Sequence, residues 1–185
     1  MAAYPDRPHY SRRSFLAMGG ALGGSVLANS VFAAIDQTEH TLSVSKLAWI
    51  ELNKALQGNL LRYGDTGFDL LAQPNNLVYK KNLPVAVAVC RNSMDVSVCL
   101  KWCSSNGVHP TIRGGGHSYA GFSSTTGLLI DIQGLNEITF NPDRETVTVG
   151  GGVKNIDIFN NLGKVNRSIT HGRCFGVGVG GFLLG

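Results

Sequence analysis

Two short stretches carry residues whose type and spacing could do chemistry. The first is Arg113-Gly114-Gly115-Gly116-His117-Ser118. Three consecutive glycines leave the backbone bare, so successive N–H groups can turn toward one point and hold an anion such as a pyrophosphate. No Gly-Lys-Ser/Thr follows, so this is not a P-loop, and the G-x-G-x-x-G spacing with its helix is absent too. The residues alone leave a simpler alternative open, a tight turn followed by a locally satisfied histidine.

The second stretch is His171-Gly172-Arg173-Cys174-Phe175-Gly176-Val177-Gly178-Val179-Gly180-Gly181. A thiol beside a bare-backbone loop could serve as a nucleophile, a metal ligand or a small core residue. Zinc is disfavoured because the four cysteines include no Cys-x-x-Cys pair. Cys90, Cys99 and Cys103 fall on faces expected to be buried, and an i, i+4 pair on a helix is poorly placed for a disulfide.

Taken together, the two stretches resemble the berberine-bridge-enzyme-like flavoproteins, whose FAD domain is of the vanillyl-alcohol-oxidase, or PCMH, type. Arg113-Gly-Gly-Gly-His117-Ser118 is similar to the family loop that wraps the FAD pyrophosphate, whose His bonds the flavin C8 methyl. His171-Gly-x-Cys174-x-x-Val177-Gly178-x-Gly180-Gly181 is similar to a second segment, whose Cys bonds flavin C6. Gly127-Leu-Leu-Ile-Asp131, and the Pro84 strand with Asp95-Val96 after it, extend the resemblance over roughly residues 47–185. It implies FAD held by two covalent bonds, through His117 and Cys174, with Arg113, Gly114, Gly115, Gly116, Ser118, Val177, Gly178, Gly180 and Gly181 around the cofactor.

The implied activity is that of an FAD-dependent oxidoreductase. An oxidase is favoured, taking hydride from a carbohydrate or alcohol-type small molecule or oligosaccharide and reducing dioxygen to hydrogen peroxide. Val177 falls where relatives carry a side chain that gates oxygen, and a small residue there is oxidase-like. A dehydrogenase with another acceptor, and a flavin-binding module without turnover, are the alternatives. The chain departs from many relatives at Phe182, where they have His. The family's substrate domain and catalytic residues are expected beyond Gly185, which makes the sequence a fragment or a gene product that continues.

The elements that must position these loops can be read from periodicity. Residues 43–57 show a helical pattern with Gly58 as its stop. Residues 64–76 are turn-rich. Pro84 opens the apolar run Val85–Cys90, a buried strand. Asn92 or Ser93 can cap a helix whose apolar positions Val96, Cys99, Leu100 and Cys103 share one face, and Gly107 ends it. Strands are expected at Thr111–Arg113 and Leu128–Ile132, and a hairpin from Ile138–Phe140 and Thr146–Val149 across Asn141-Pro142-Asp143. A helix follows at Val153–Leu162. The class is therefore α+β with mixed sheets, incomplete at its C-terminus. Trp49 and Trp102 are expected to be packing anchors, His109 and Asp131 to be structural.

Composition agrees with a folded chain: 43% hydrophobic and 15% charged residues, with 24 glycines that follow no period. The glycines cluster at 114–116, 150–152 and 172–185, places where backbone must approach something closely. The chain begins with a different kind of segment. Ser11-Arg12-Arg13-Ser14-Phe15-Leu16 is a twin-arginine motif followed by a short apolar stretch, and Val31-Phe32-Ala33 offers a cleavage site. The stretch is too short for a stable membrane span. The domain reading is thus a signal peptide at 1–33, a helical lead-in at 34–76 and the FAD domain at 77–185, exported to the periplasm or the extracellular space. The net charge is +4, and Arg7, Arg12 and Arg13 against Asp6 place half of it in the leader. No basic stripe interleaves with aromatics, so nucleic acid is not an expected partner, and no metal site is expected.

Overall fold

The computed structural model describes residues 44–184. The twin-arginine motif and the cleavage site lie outside them. In chain order the elements are α1 (Lys46–Ala55), β1 (Asn59–Arg62), α2 (Phe68–Ala72), a 3-10 turn at Leu77–Tyr79, β2 (Ala86–Val89), α3 (Ser93–Asn106), β3 (Pro110–Arg113), β4 (Leu128–Asp131), β5 (Ile138–Asn141), β6 (Thr146–Val149), α4 (Asn155–Gly163) and α5 (Val179–Leu184).

Four strands form a mixed sheet in the order β1-β2-β4-β3. β1 runs antiparallel to β2, while β2 and β3 both run parallel to β4. The two parallel pairings bring Val87 beside Leu129 and Arg113 beside Asp131. Parallel neighbours cannot be joined by a tight hairpin, and α3 makes the crossover from β2 to β3. A separate hairpin pairs β5 with β6.

The central strands read as unbroken apolar runs because both of their faces are covered. Ala86, Ala88, Leu128 and Ile130 face a cluster built with Trp49, Leu52, Leu56, Cys99 and Cys103 of α1 and α3. The alternate residues Val87 and Leu129 face Phe68 and Ala72 of α2. Leu129 is fully buried, and its truncation to alanine would cost about 2–5 kcal/mol. A third cluster joins Val153, Ile158, Leu162 and Val179 to the hairpin residues Ile138, Phe140, Val147 and Val149.

Local signals work as the sequence suggests. Asn92 caps α3, its side chain accepting from the Asp95 N–H at 2.9 Å, and Gly107 ends the helix in the left-handed region at φ 63°. Asn141 turns the hairpin by accepting from the N–H groups of Asp143 and Arg144. Trp49 and Trp102 stack with ring centroids 4.5 Å apart, and the Trp102 indole donates to the Ala48 carbonyl.

The stretch read as turn-rich differs: it holds α2, and β1 precedes it as a strand with no counterpart in the periodicity reading. At four or five residues each, neither is long enough to display a period. Helix α1 also belongs to the main core, and Asp95 ties its end to α3. The Asp95 carboxylate is buried and accepts from the N–H groups of Gln57, Gly58 and Arg91 at 2.8, 3.0 and 2.9 Å.

Candidate functional site: two crossed glycine loops

The first loop leaves the sheet at the end of β3, where Arg113 faces the interior at 6% exposure. Its Nε donates to the Ser123 carbonyl at 2.8 Å, and its Nη1 donates to the carbonyls of Leu71 and Gln73 at 2.6 and 3.1 Å. One guanidinium thus joins the far side of the loop to the end of α2. Burial pushes Arg113 below its ordinary value, and the nearby Asp131 carboxylate pushes it back up. The Asp131 carboxylate itself closes the turn after β4, accepting from the N–H and the side-chain amide of Gln133.

Other side chains hold the rest of this loop. Asn75 donates to the Gly115 carbonyl at 3.0 Å, Ser123 to the Gly116 carbonyl at 3.3 Å and the Tyr79 hydroxyl to the Tyr119 carbonyl at 3.2 Å. Ser118 Oγ accepts from the Phe122 N–H, closing a turn. Gly116 sits at φ 73°, in the region that favours glycine. Among the described residues, the backbone N–H groups of Gly115, Gly116 and His117 find no hydrogen-bond partner. Three adjacent unpartnered donors on a bare backbone are what an anion-binding nest requires.

The second loop wraps the start of α4. The N–H groups of Asn155 and Ile156 donate to the carbonyls of Val177 and Phe175, and the Asn155 side chain donates to the Cys174 carbonyl at 2.9 Å. Asp157 accepts from the Lys154 N–H at 3.0 Å, completing the helix start. Cys174 is the one exposed cysteine among the described residues, whereas Cys90, Cys99 and Cys103 are buried core thiols. Burial pushes the Cys103 thiol up to about 12, and a hydrogen bond with Cys99 that favours the protonated thiol, together with burial, raises that of Cys90.

The two loops cross in backbone contact. A Cβ at Gly115 would run into the backbone of Gly178, and would also stand 2.9 Å from the Gly176 carbonyl oxygen. A Cβ at Gly178 would in turn meet Gly115. The Gly151 carbonyl is wedged between them and α5, 3.1 Å from a Cβ at Gly114 and 2.7 Å from one at Gly180. The glycine clusters at 114–116, 150–152 and 172–181 therefore meet in one place. Gly181 has open space around it and no steric need for glycine.

His117 is exposed and lies over the second loop, its Nε2 3.0 Å from where a Cβ at Gly176 would stand. Gly176 is two residues from Cys174, so the crossing brings the imidazole and the thiol-bearing loop together. Beside them is a cleft of about 180 Å³ lined by His117, Gly115, Gly176, Asn75, Gln133 and Lys154, with Arg113 in its wall. Lys154 makes no ion pair among the described residues, so it brings a cation to the cleft, while the nearby Asp131 carboxylate faces Arg113.

The residues singled out in the sequence are thus largely neighbours: Gly114, Gly115, Gly116, His117 and Ser118 on one loop, Cys174, Val177, Gly178 and Gly180 on the other. Asn75, Gln133, Lys154 and Asn155 were missed. All four are ordinary polar residues in turns or at a helix start, and nothing local distinguishes them from solvated positions. No group of three or more His, Cys, Asp or Glu side chains able to hold a metal occurs among the described residues.

The glycine cradle, the unpartnered N–H groups and the unpaired Lys154 in the cleft fit a dinucleotide pyrophosphate. Residues 84–185 match the FAD binding domain family, and the chain belongs to that family. Glucooligosaccharide oxidase of Sarocladium strictum is 28% identical over 154 residues, 77% of this chain and 30% of its own length. Xylooligosaccharide oxidase of Myceliophthora thermophila C1 superposes with a TM-score of 0.64 at 27% identity, covering 72% of this chain and 29% of the other. The glucooligosaccharide oxidase structure from Acremonium strictum, with a 6-S-cysteinyl, 8α-N1-histidyl FAD, gives a TM-score of 0.62 at 27% identity over 70% of this chain and 28% of that one. The chain spans less than a third of the length of each of these relatives. No described helix is long and apolar enough to cross a membrane.

Proposed function

We propose that this chain forms the FAD site of an exported oxidase that attaches its flavin through His117 and Cys174. The observation that carries the reading is the contact of Gly115 with Gly178, which sets the histidine-bearing loop on the cysteine-bearing loop. The unpartnered backbone N–H groups of Gly115, Gly116 and His117, freed by the bare Gly114–Gly116 backbone, would hold the pyrophosphate. Arg113 holds that loop from beneath, and Gly178 and Gly180 let the second loop approach. Lys154, in the cleft beside Gly115, would add positive charge for the phosphates.

The bound flavin supplies two-electron chemistry, taking hydride from a carbon of an alcohol or oligosaccharide and passing the electrons to dioxygen, which becomes hydrogen peroxide. Each covalent attachment replaces one hydrogen on the protein atom, imidazole N–H or thiol S–H, and one C–H on the flavin. Each attachment would release two electrons and two protons, which dioxygen would accept. An oligosaccharide or similar small molecule is supported as the substrate class by the two oligosaccharide oxidases, and the half-buried Val177 is compatible with oxygen access. The twin-arginine motif at residues 11–16 supports export of a chain folded around its cofactor.

The test is to express the complete open reading frame, denature the protein in acid and follow the yellow colour. Colour should stay with the polypeptide in wild type and in each of His117→Ala and Cys174→Ala, and leave only in the double variant. Flavin that binds but washes out of the wild type would refute the covalent assignment. Reduction of the bound flavin by oligosaccharide without oxygen uptake would refute the oxidase assignment.

A further inference from the structure

We propose that Asn155 is a positioning residue for Cys174, setting the thiol for attachment to the flavin; this rests on the reading of Cys174 as an attachment point. Asn155 opens α4 and is 1% exposed. Its side-chain amide donates to the Cys174 carbonyl at 2.9 Å, and its backbone N–H donates to the Val177 carbonyl at 3.0 Å. The next N–H, of Ile156, donates to the Phe175 carbonyl at 3.2 Å. The first N–H groups of a helix have no partner within it. Here they take the carbonyls of Val177 and Phe175, and the Asn155 side chain takes a third carbonyl of the same four-residue segment, that of Cys174. The Cys174 side chain is exposed, so a backbone fixed from the protein side carries its thiol outward.

Two details set this contact apart from ordinary packing. Asn155 Oδ1 is buried without a partner among the described residues. A buried amide with an unused oxygen is unfavourable, and an apolar side chain of similar size avoids that penalty. The amide's one hydrogen bond goes to the Cys174 carbonyl, so what it offers over an apolar side chain is its hold on that residue. The loop also makes room for it, since a Cβ at Gly172 would stand 2.6 Å from Asn155 Nδ2. Gly172, Asn155 and Cys174 thus form one unit, with the glycine admitting the amide and the amide fixing the carbonyl.

The test separates the two attachments in the complete open reading frame. In a His117→Ala background, Cys174 alone can keep flavin after acid denaturation; in a Cys174→Ala background, His117 alone can. Asn155→Leu should lower the flavin kept through Cys174 at least about fivefold, the scale of one buried hydrogen bond lost, and leave that kept through His117 unchanged. Gly172→Ala should do the same by displacing the amide, and should add no further loss to Asn155→Ala, where no amide remains to displace. Equal loss in both backgrounds would mark a general folding defect and overturn the proposal, as would full retention through Cys174 in Asn155→Leu. Absence of flavin in the His117→Ala background with Asn155 intact would instead remove Cys174 as an attachment point, and this role with it.

Discussion

The loop after β3 and the loop before α5 meet where Gly115 rests on Gly178 but are held by different means. Side chains reach the first from several directions: Arg113 from the sheet, Asn75 and Tyr79 from the segment after α2, Ser123 from the loop's own return. The second is held from one side only, by the open end of α4. The first loop therefore depends on a buried cation whose donors satisfy three carbonyls, and the second on a helix start that would otherwise carry unpaired N–H groups. A loop pinned from many sides keeps a rigid nest. A loop pinned by one helix end can carry a reactive side chain whose placement is set by few residues.

That contrast can be broken most severely at Arg113. Arg113→Ala removes every hydrogen bond that the guanidinium makes between the loop and the end of α2, and should destabilise the protein by about 3–5 kcal/mol in urea unfolding. Arg113→Lys should rescue little of this, because an ammonium cannot span the same fork of carbonyls. If Arg113→Ala were to unfold like the wild type, the first loop would not depend on its cation.

The shared contact comes next. Gly115→Ala and Gly178→Ala each place a methyl in the opposing backbone, with an expected cost of about 1–3 kcal/mol. The two should be strongly non-additive, since the first substitution already parts the loops. Additive losses would mean that the loops do not touch in solution.

The main core around α1 and α3 offers a control that should move neither loop. Cys103 has its folded value raised to about 12 by burial, above that of an unfolded thiol. Its contribution to stability is therefore complete below about pH 8.5 and is lost as pH rises toward 12, at about 1.4 kcal/mol per pH unit. Cys90, shifted in the same direction, adds to the same alkaline loss. Cys103→Ala should flatten the fall in urea stability between pH 9 and 11, and a slope unchanged in that variant would assign the loss to other groups. The smallest effect is at Tyr79→Phe, which keeps the ring against Gly121 but loses the bond to the Tyr119 carbonyl. It should cost about 0.5–1.5 kcal/mol and touch only the first loop.

Much of this organisation could be read locally. The α3 caps, the Asn141 turn, the buried run at β2 and the character of the two glycine loops follow from residue types, because each is decided by a few adjacent residues. The short elements β1 and α2 did not show, since their burial comes from pairing and packing rather than from a period. Asp95 read as part of a family pattern, while its task, gathering the N–H groups of Gln57, Gly58 and Arg91, depends on chain segments 37 residues apart.

At the site, the sequence by itself determined which chemistry is available: an imidazole and a thiol, each on a backbone bare enough to approach a cofactor, and a pattern that names the FAD binding domain family. Tertiary structure alone decided that Gly115 rests on Gly178, that Lys154, Asn75 and Gln133 share a cleft with His117, and that Asn155 grips the carbonyl of Cys174. Those are contacts between residues far apart in the chain. Steric exclusion and buried hydrogen bonds decide them, and neither is expressed in the spacing of residues along one strand of sequence.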